Sequence, residues 1–308
     1  MISFAFTVFG VDWIFLKPYI VLGLALGSVY ALSGVGVVVL YQATGVLNLA
    51  FGAIGAAGAL IAYYLVNHTS LPHWVAYLAC VVFGAAVNFV YGILLGPAFA
   101  RRDPLVKMMG TLALALILLG VMAWRAPAGG AFVRVLQLPT STRTFELFGA
   151  VVTWTQVIAL VFALVLVIGT TAFLRLTKLG TAMRALASDR EITATLGVPV
   201  RRVEMSAWLG SGVVCGIAGL LLADLFTTLD YTALTFLVIS SLAAALIGRL
   251  RSLWVTFAGG LAVGLLQAVA TPYNSITAYR TAAPFVLAIV ALLYLARHRT
   301  VTISRATG

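Results

Sequence analysis

The sequence of 308 residues predicts an all-α polytopic membrane protein, a bundle of about nine transmembrane helices with one long basic loop on its inner side. Three observations carry that prediction. Hydrophobic residues make up 63% of the chain and charged ones 9%, with mean hydropathy +1.12, far from the range of soluble domains. Apolar runs of about 20 residues, enough to cross a bilayer, recur along the chain. The net charge of +11 sits in the intervals between those runs. In a soluble protein such a charge suggests nucleic acid; between apolar spans it indicates orientation by basic loops.

The predicted spans are 18–40, 44–66, 73–97, 104–124, 151–174, 204–227, 232–248, 253–271 and 281–296. The stretch before Lys17 is apolar but short, and it lacks the basic start and small-residue cleavage site of a signal peptide. With the N-terminus outside, fourteen of the nineteen basic residues fall inside and five outside. That asymmetry sets the topology as N-terminus out and C-terminus in. The chain reads as a single transmembrane domain over 1–308, with an outer loop over about 125–150 and an inner loop over about 175–204.

Within the spans, Gly23 and Gly27, Gly92 and Gly96, Gly212 and Gly216, and Gly260 and Gly264 form GxxxG pairs that let helices approach closely. The second span holds Gly45, Gly52, Gly55 and Gly58 around Asn48. Either it is locally irregular beside a cavity, or it is a tightly packed helix whose Asn48 bonds a neighbour. The other polar groups in the spans are Asn88, Asp224 and Gln267. Asp224, near an outer helix end with Asp230 just beyond, is either a solvated boundary residue or part of an outer vestibule. Alternation in AFVRVLQ and TRTFELFG of the outer loop predicts a small hairpin. Cys80 and Cys215 read as packing residues, and the three histidines have no ligand spacing, so no metal or cofactor is expected.

The inner loop carries a short, well-punctuated helix. Ser188 and Glu191 have capping-box spacing, Gly197 suits the left-handed position after the last turn, and Pro199 stops continuation. Ile192 and Leu196 share one face. The chain has no phosphate loop, no H-E-x-x-H and no G-x-S-x-G, and its spans lack the ionisable relays of proton-driven transport. An enzyme is not expected, and any active transport must use energy from elsewhere.

Glu191 and Gly197 resemble the E-A-A-x-x-x-G signature of importer permeases. The segments LGTAMRALASDREITATLGVPVRRVEMSAWLGSGVVCGIAGLLLA and GLALGSVYALSGVGVVVLYQATGVLNLAFGAIGAAGALIAYYL resemble the Liv-type branched-chain amino acid ABC transporter permeases. The resemblance implies an inner-membrane subunit, without its own ATPase or cofactor, that moves hydrophobic or branched-chain amino acids or related small solutes. Its implied partners are a second permease subunit, homologous or a copy, two cytoplasmic ATP-binding subunits and an external solute-binding protein. Ser188, Glu191, Ile192, Leu196 and Gly197 would then form the helix that couples to the ATPase. Asn48, Gly52, Asn88, Asp224 and Gln267 are the pathway candidates. The chain departs from the family pattern at Ile192-Thr193, where the signature has Ala-Ala. It departs again after Asn48, which is followed by Leu49-Ala50-Phe51-Gly52-Ala53. A third departure is Gly248-Arg249-Leu250-Arg251-Ser252, where the family has Gly-Gly-x-Gly-Ser. Two other readings remain: an ATP-independent channel or facilitator for a small neutral solute such as urea or an amide, and a sensory or structural membrane subunit.

Overall fold

The computed structural model describes residues 7–8, 11–94, 96, 102–126, 134–147, 149–226, 228–272 and 282–304. A helix apolar on every side can satisfy all of them only among other helices. The first helix, α1 (Trp13–Thr44), does this: 72% of its most apolar window is buried, and it forms the axis of the bundle. Around it stand α2 (Phe51–His68), α3 (His73–Leu94), α4 (Pro104–Arg125) and α5 (Trp154–Leu176). Two short helices, α6 (Lys178–Ser188) and α7 (Arg190–Thr195), lead into α8 (Val200–Leu225). The chain continues through α9 (Tyr231–Phe236), α10 (Val238–Ile247), α11 (Leu253–Ala270) and α12 (Ala283–Ser304). Helices α3, α4 and α5 are peripheral and carry uncovered Val82, Leu116, Ile117, Val161 and Val165, the surface a bilayer would wet.

Among the described residues, seven helices are long and apolar enough to cross a membrane, and two further apolar segments, Tyr231–Ile247 and Ala283–Leu293, are shorter. The nine segments follow the expected order. The seventh is broken at Leu237 into α9 and α10, with Asp230 capping the first through Thr232 N–H. The second opens late: the chain leaves α1 at Thr44, takes a left-handed step at Gly45 (φ 69°) and resumes helix only at Phe51.

Small residues set the helix contacts. Gly23 and Gly27 of α1 lie against Gly260 and Gly264 of α11, and a Cβ on Gly27 would sit 2.8 Å from Leu261 Cα. Gly84 of α3 meets Gly212 and Gly216 of α8, while Gly55 of α2 meets Gly219. Backbones this close leave no room for a methyl group, so glycine is required at the crossing. The Gly92–Gly96 pair does not act as a pair: Gly92 seats the Trp208 ring, and Gly96 has nothing within 4 Å. Cys80 and Cys215 are buried at these seams, donating weakly to the carbonyls of Gly216 and Phe51.

At the other end lie two small hairpins, Thr7–Val8 with Val11–Asp12 (β1, β2) and Thr144–Leu147 with Ala150–Thr153 (β3, β4). The expected outer hairpin therefore uses TFEL and AVVT. Of AFVRVLQ, residues 131–133 lie outside the described residues and 134–137 form no strand. Thr153 ends the hairpin and starts α5 with a full capping box to Gln156.

Candidate functional site

The α6–α7 connection is built by tight caps. Thr177 accepts from Gly180 N–H at 2.9 Å while donating to the Phe173 carbonyl, folding α6 back on α5. Gly180 presses on Leu174, where a side chain would collide with backbone. Helix α6 then buries Met183 and Leu186. The cap of α7 differs from the expected one. Ser188 is the last residue of α6, and Asp189 is the N-cap, its Oδ1 accepting from Ile192 N–H at 2.9 Å. Glu191 lies exposed in the first turn and makes no box with Ser188. The cap falls one position later than the Ser188–Glu191 spacing predicts, because α6 runs through Ser188 and leaves Asp189, an equally good capping residue, at the start of α7.

What α7 presents follows from that register. Thr193 faces the protein, 3% exposed, with its hydroxyl on the Asp189 carbonyl. Ile192 and Leu196 face away, 60% and 76% exposed. Arg190 bonds Glu204 of α8 at 2.7 Å and ties the helix to the bundle. Gly197 closes it at φ 80° with open space around its Cα. Ile192 and Leu196 are thus left uncovered on a helix that is pinned from its other side.

Beside α7 opens a cavity of about 1150 Å³, bounded by the end of α1, the start of α4, the end of α5, α6 and the α10–α11 turn. Its lining includes Lys107, Arg175, Arg184, Arg190, Arg249 and Arg251. The α10–α11 turn is unusual: Arg249 and Leu250 both take φ 55°, the left-handed region, in the segment where the family pattern has glycines. Gln42 of α1 holds it there, donating to the carbonyls of Arg251 at 2.8 Å and Leu250 at 3.3 Å.

The break between α1 and α2 is buried and its polar groups are matched. Asn48 (1% exposed) donates to Asn88 Oδ1 (0% exposed) at 2.8 Å and accepts from Ala50 N–H at 3.0 Å. Thr111 of α4 accepts from Leu49 N–H and contacts the Leu47 carbonyl. Irregular backbone is tolerated at membrane depth when protein satisfies it in this way. Of the two sequence expectations for Asn48, both the irregular segment and the bonded neighbour are present. Gly52 lies against the Thr235 carbonyl and borders a small internal cavity of about 20 Å³, the size of a single water, with Ser33 and Ser241 in its wall. Gln267 reaches Ser240 Oγ at 3.4 Å. Asp224 is at the opposite end. Its Oδ1 accepts from Leu138 N–H at 2.6 Å, and nearby Leu229 N–H reaches the Arg134 carbonyl, so this carboxylate fastens the segment from Arg134 to Leu138 rather than standing in solvent. Of the five pathway candidates, Asn48 and Asn88 are bonded to each other, Gly52 borders the small cavity, Gln267 bonds Ser240 and Asp224 bonds Leu138 N–H.

The family model described as branched-chain amino acid transport system, permease component, matches residues 19–295. The chain belongs to that family. Among its relatives is a probable branched-chain amino acid transport permease protein LivH from Methanocaldococcus jannaschii. It is 28% identical over 256 residues, covering 80% of this chain and 78% of that one. The high-affinity branched-chain amino acid transport system permease protein LivH of Escherichia coli K12 is 23% identical over 285 residues, covering 88% and 91%. The solved structure of PsaBC from Streptococcus pneumoniae in complex with Fab superposes with TM-score 0.45 at 14% identity, covering 91% of this chain and 90% of that one. That likeness is too slight to carry an argument.

As a permease-family member the chain is a multi-pass membrane protein with a transport role. Several residues that organise the site were not legible as such. Asp189 stood next to the misread cap. Thr111 and Gln42 act across more than sixty residues of sequence, and no local pattern announces such bonds. Arg190 and Glu204 were visible as charges, but their pairing depends on the turn at Gly197.

Proposed function

We propose that this chain is the membrane subunit of an ATP-driven importer for branched-chain amino acids or close relatives. It pairs with a second permease subunit, receives solute from an external binding protein and takes its energy from two ATPase subunits on the inner side. The observation that carries the reading is α7. Its Ile192 and Leu196 are uncovered, while Thr193, the Asp189 cap and the Arg190–Glu204 pair fix its other side. A small apolar knob with a charged rim suits insertion into a partner's groove.

The same contacts describe a lever. Only Leu196, Gly197, Val198 and Pro199 separate α7 from α8, and α8 packs on α1, α2 and α3 through the glycine seams. A partner that displaces α7 moves α8, and α8 moves against the helices that line the Gly52 cavity. Alternation of access follows from that tilt. The residues that the topology puts inside, from Lys107 to Arg251, stand together at the α7 end of the bundle, which supports the N-out, C-in orientation.

The test is reconstitution of this permease with its binding protein, second permease and ATPases in liposomes, following labelled leucine. ATP-dependent accumulation is the expected result. Equal uptake without ATP, stopping at equilibration, would identify a facilitator instead. Orientation is tested separately: cysteine at Ser141 labels from outside intact cells, and cysteine at Ser188 labels only after permeabilisation.

A further inference from the structure

The cavity is lined by six cationic side chains, Lys107, Arg175, Arg184, Arg190, Arg249 and Arg251. Arg175, Arg184, Arg249 and Arg251 line it, are exposed, and form no ion pair among the described residues. Glu204, the carboxylate that bonds a lining arginine, is already engaged by Arg190. A zwitterionic substrate would bring an ammonium group into a field that repels it. An anion with phosphate oxygens would instead find guanidinium forks from three separate elements.

Two further features point to the bilayer as its source. Trp254, 47% exposed, stands on the cavity wall, and Val255 beside it and Leu176 beside Arg175 are also uncovered, 46% and 84% exposed. An aromatic anchor and apolar side chains next to clustered arginines are the surroundings of a lipid headgroup at the membrane boundary. The turn that supplies Arg249 and Arg251 is held in left-handed backbone by Gln42, which also turns the Leu250 and Arg251 carbonyls into hydrogen bonds. Strain maintained by a specific partner marks a segment shaped for a task.

We infer that this cavity binds the phosphate headgroup of an anionic phospholipid, with Arg175, Arg184, Arg249 and Arg251 on the phosphate oxygens and the acyl chains beside Trp254 and Leu176. The site is independent of the docking role of α7. Lipid bound there joins the α10–α11 turn to α5 and α6, the helices that lead to α7.

The test is native mass spectrometry of the purified permease in neutral detergent, titrated with phosphatidylglycerol, phosphatidylcholine or inorganic phosphate. Phosphatidylglycerol binds saturably and phosphatidylcholine does not. At about a fivefold loss per interfacial arginine, R249Q/R251Q binds it about thirtyfold more weakly, whereas Arg143→Gln at the other end binds as wild type. Arg249→Gly, which removes the charge and tolerates the left-handed backbone, keeps the melting temperature and still weakens binding. Unchanged binding by R249Q/R251Q would overturn the site. Saturation by inorganic phosphate at concentrations as low as those of the lipid would overturn the lipid assignment. Loss of ATPase retention by R249Q/R251Q with lipid binding intact would assign the arginines to protein docking and also refute the inference.

Discussion

Replacing Asn48 with leucine keeps the shape and removes two hydrogen bonds. The Asn88 Oδ1 that received Asn48 is left in a 0%-exposed position, and the Ala50 N–H loses its acceptor. Each orphaned buried group costs about 1–3 kcal/mol, so Asn48→Leu should destabilise the fold by roughly 2–5 kcal/mol. Asn88→Leu orphans only the Asn48 amide and disturbs its weaker 3.3 Å bond to Gly84, so it should cost less, about 1–3 kcal/mol. The double variant removes both partners of the 2.8 Å bond and leaves only the Ala50 loss in common with Asn48→Leu. Its destabilisation should fall short of the summed single effects by about 0.6–1.7 kcal/mol, the range measured between membrane helices. The assay is thermal denaturation of the purified permease in detergent, with leucine uptake measured at equal amounts of assembled complex. Strict additivity, or normal stability of Asn48→Leu with lost uptake, would refute this: Asn48 would then serve the substrate and not the break between α1 and α2.

Gly212→Ala would place Cβ 2.5 Å from the Gly84 carbonyl and 2.8 Å from Ala85 Cα, so it should destabilise by about 1–3 kcal/mol, whereas Gly210→Ala, with nothing within 4 Å, should not. Melting temperatures of the two variants separate crowding from helix propensity. Asp189→Ala should weaken α7 by about 1 kcal/mol and lower uptake, while Ser188→Ala and Glu191→Ala should matter less, a ranking that uptake rates check directly. At Gly197, valine in the left-handed region costs about 1–2 kcal/mol and redirects the exit into α8, so it should abolish uptake at normal abundance; asparagine, which tolerates that region, should retain most of it.

The order of the nine apolar segments was legible because membrane spans are written in composition and need no long-range information. The glycine crossings were half legible. GxxxG spacing identified Gly212 and Gly216 correctly, yet equally suggested Gly96, where an added Cβ would meet nothing among the described residues, because spacing does not say where a partner helix passes. The left-handed Gly197 was evident from the residue type and its neighbouring Pro199. Arg249 and Leu250 in the same conformation were not, since nothing about those side chains favours it and the reason lies in Gln42, some two hundred residues earlier. The same limit applies to Asp224: at an outer helix end a carboxylate looks solvated until the chain from Arg134 to Leu138 is seen to fold over it.

In the proposed function an ATPase subunit docks on α7, with Ile192 and Leu196 as the apolar contact. Both side chains are already in solvent, so replacing them with aspartate should leave folding and membrane abundance unchanged. Burying either charge in a partner's groove is strongly disfavoured, and loss of a central apolar contact alone commonly costs more than 1 kcal/mol of binding. The measurement is the affinity of detergent-purified permease for its ATPase, wild type against Ile192→Asp/Leu196→Asp. The account predicts at least a tenfold weaker complex, on the order of 1.4 kcal/mol, together with lost ATP-driven uptake. Unchanged affinity in a properly folded variant would contradict it and leave α7 as a surface helix with no part in coupling.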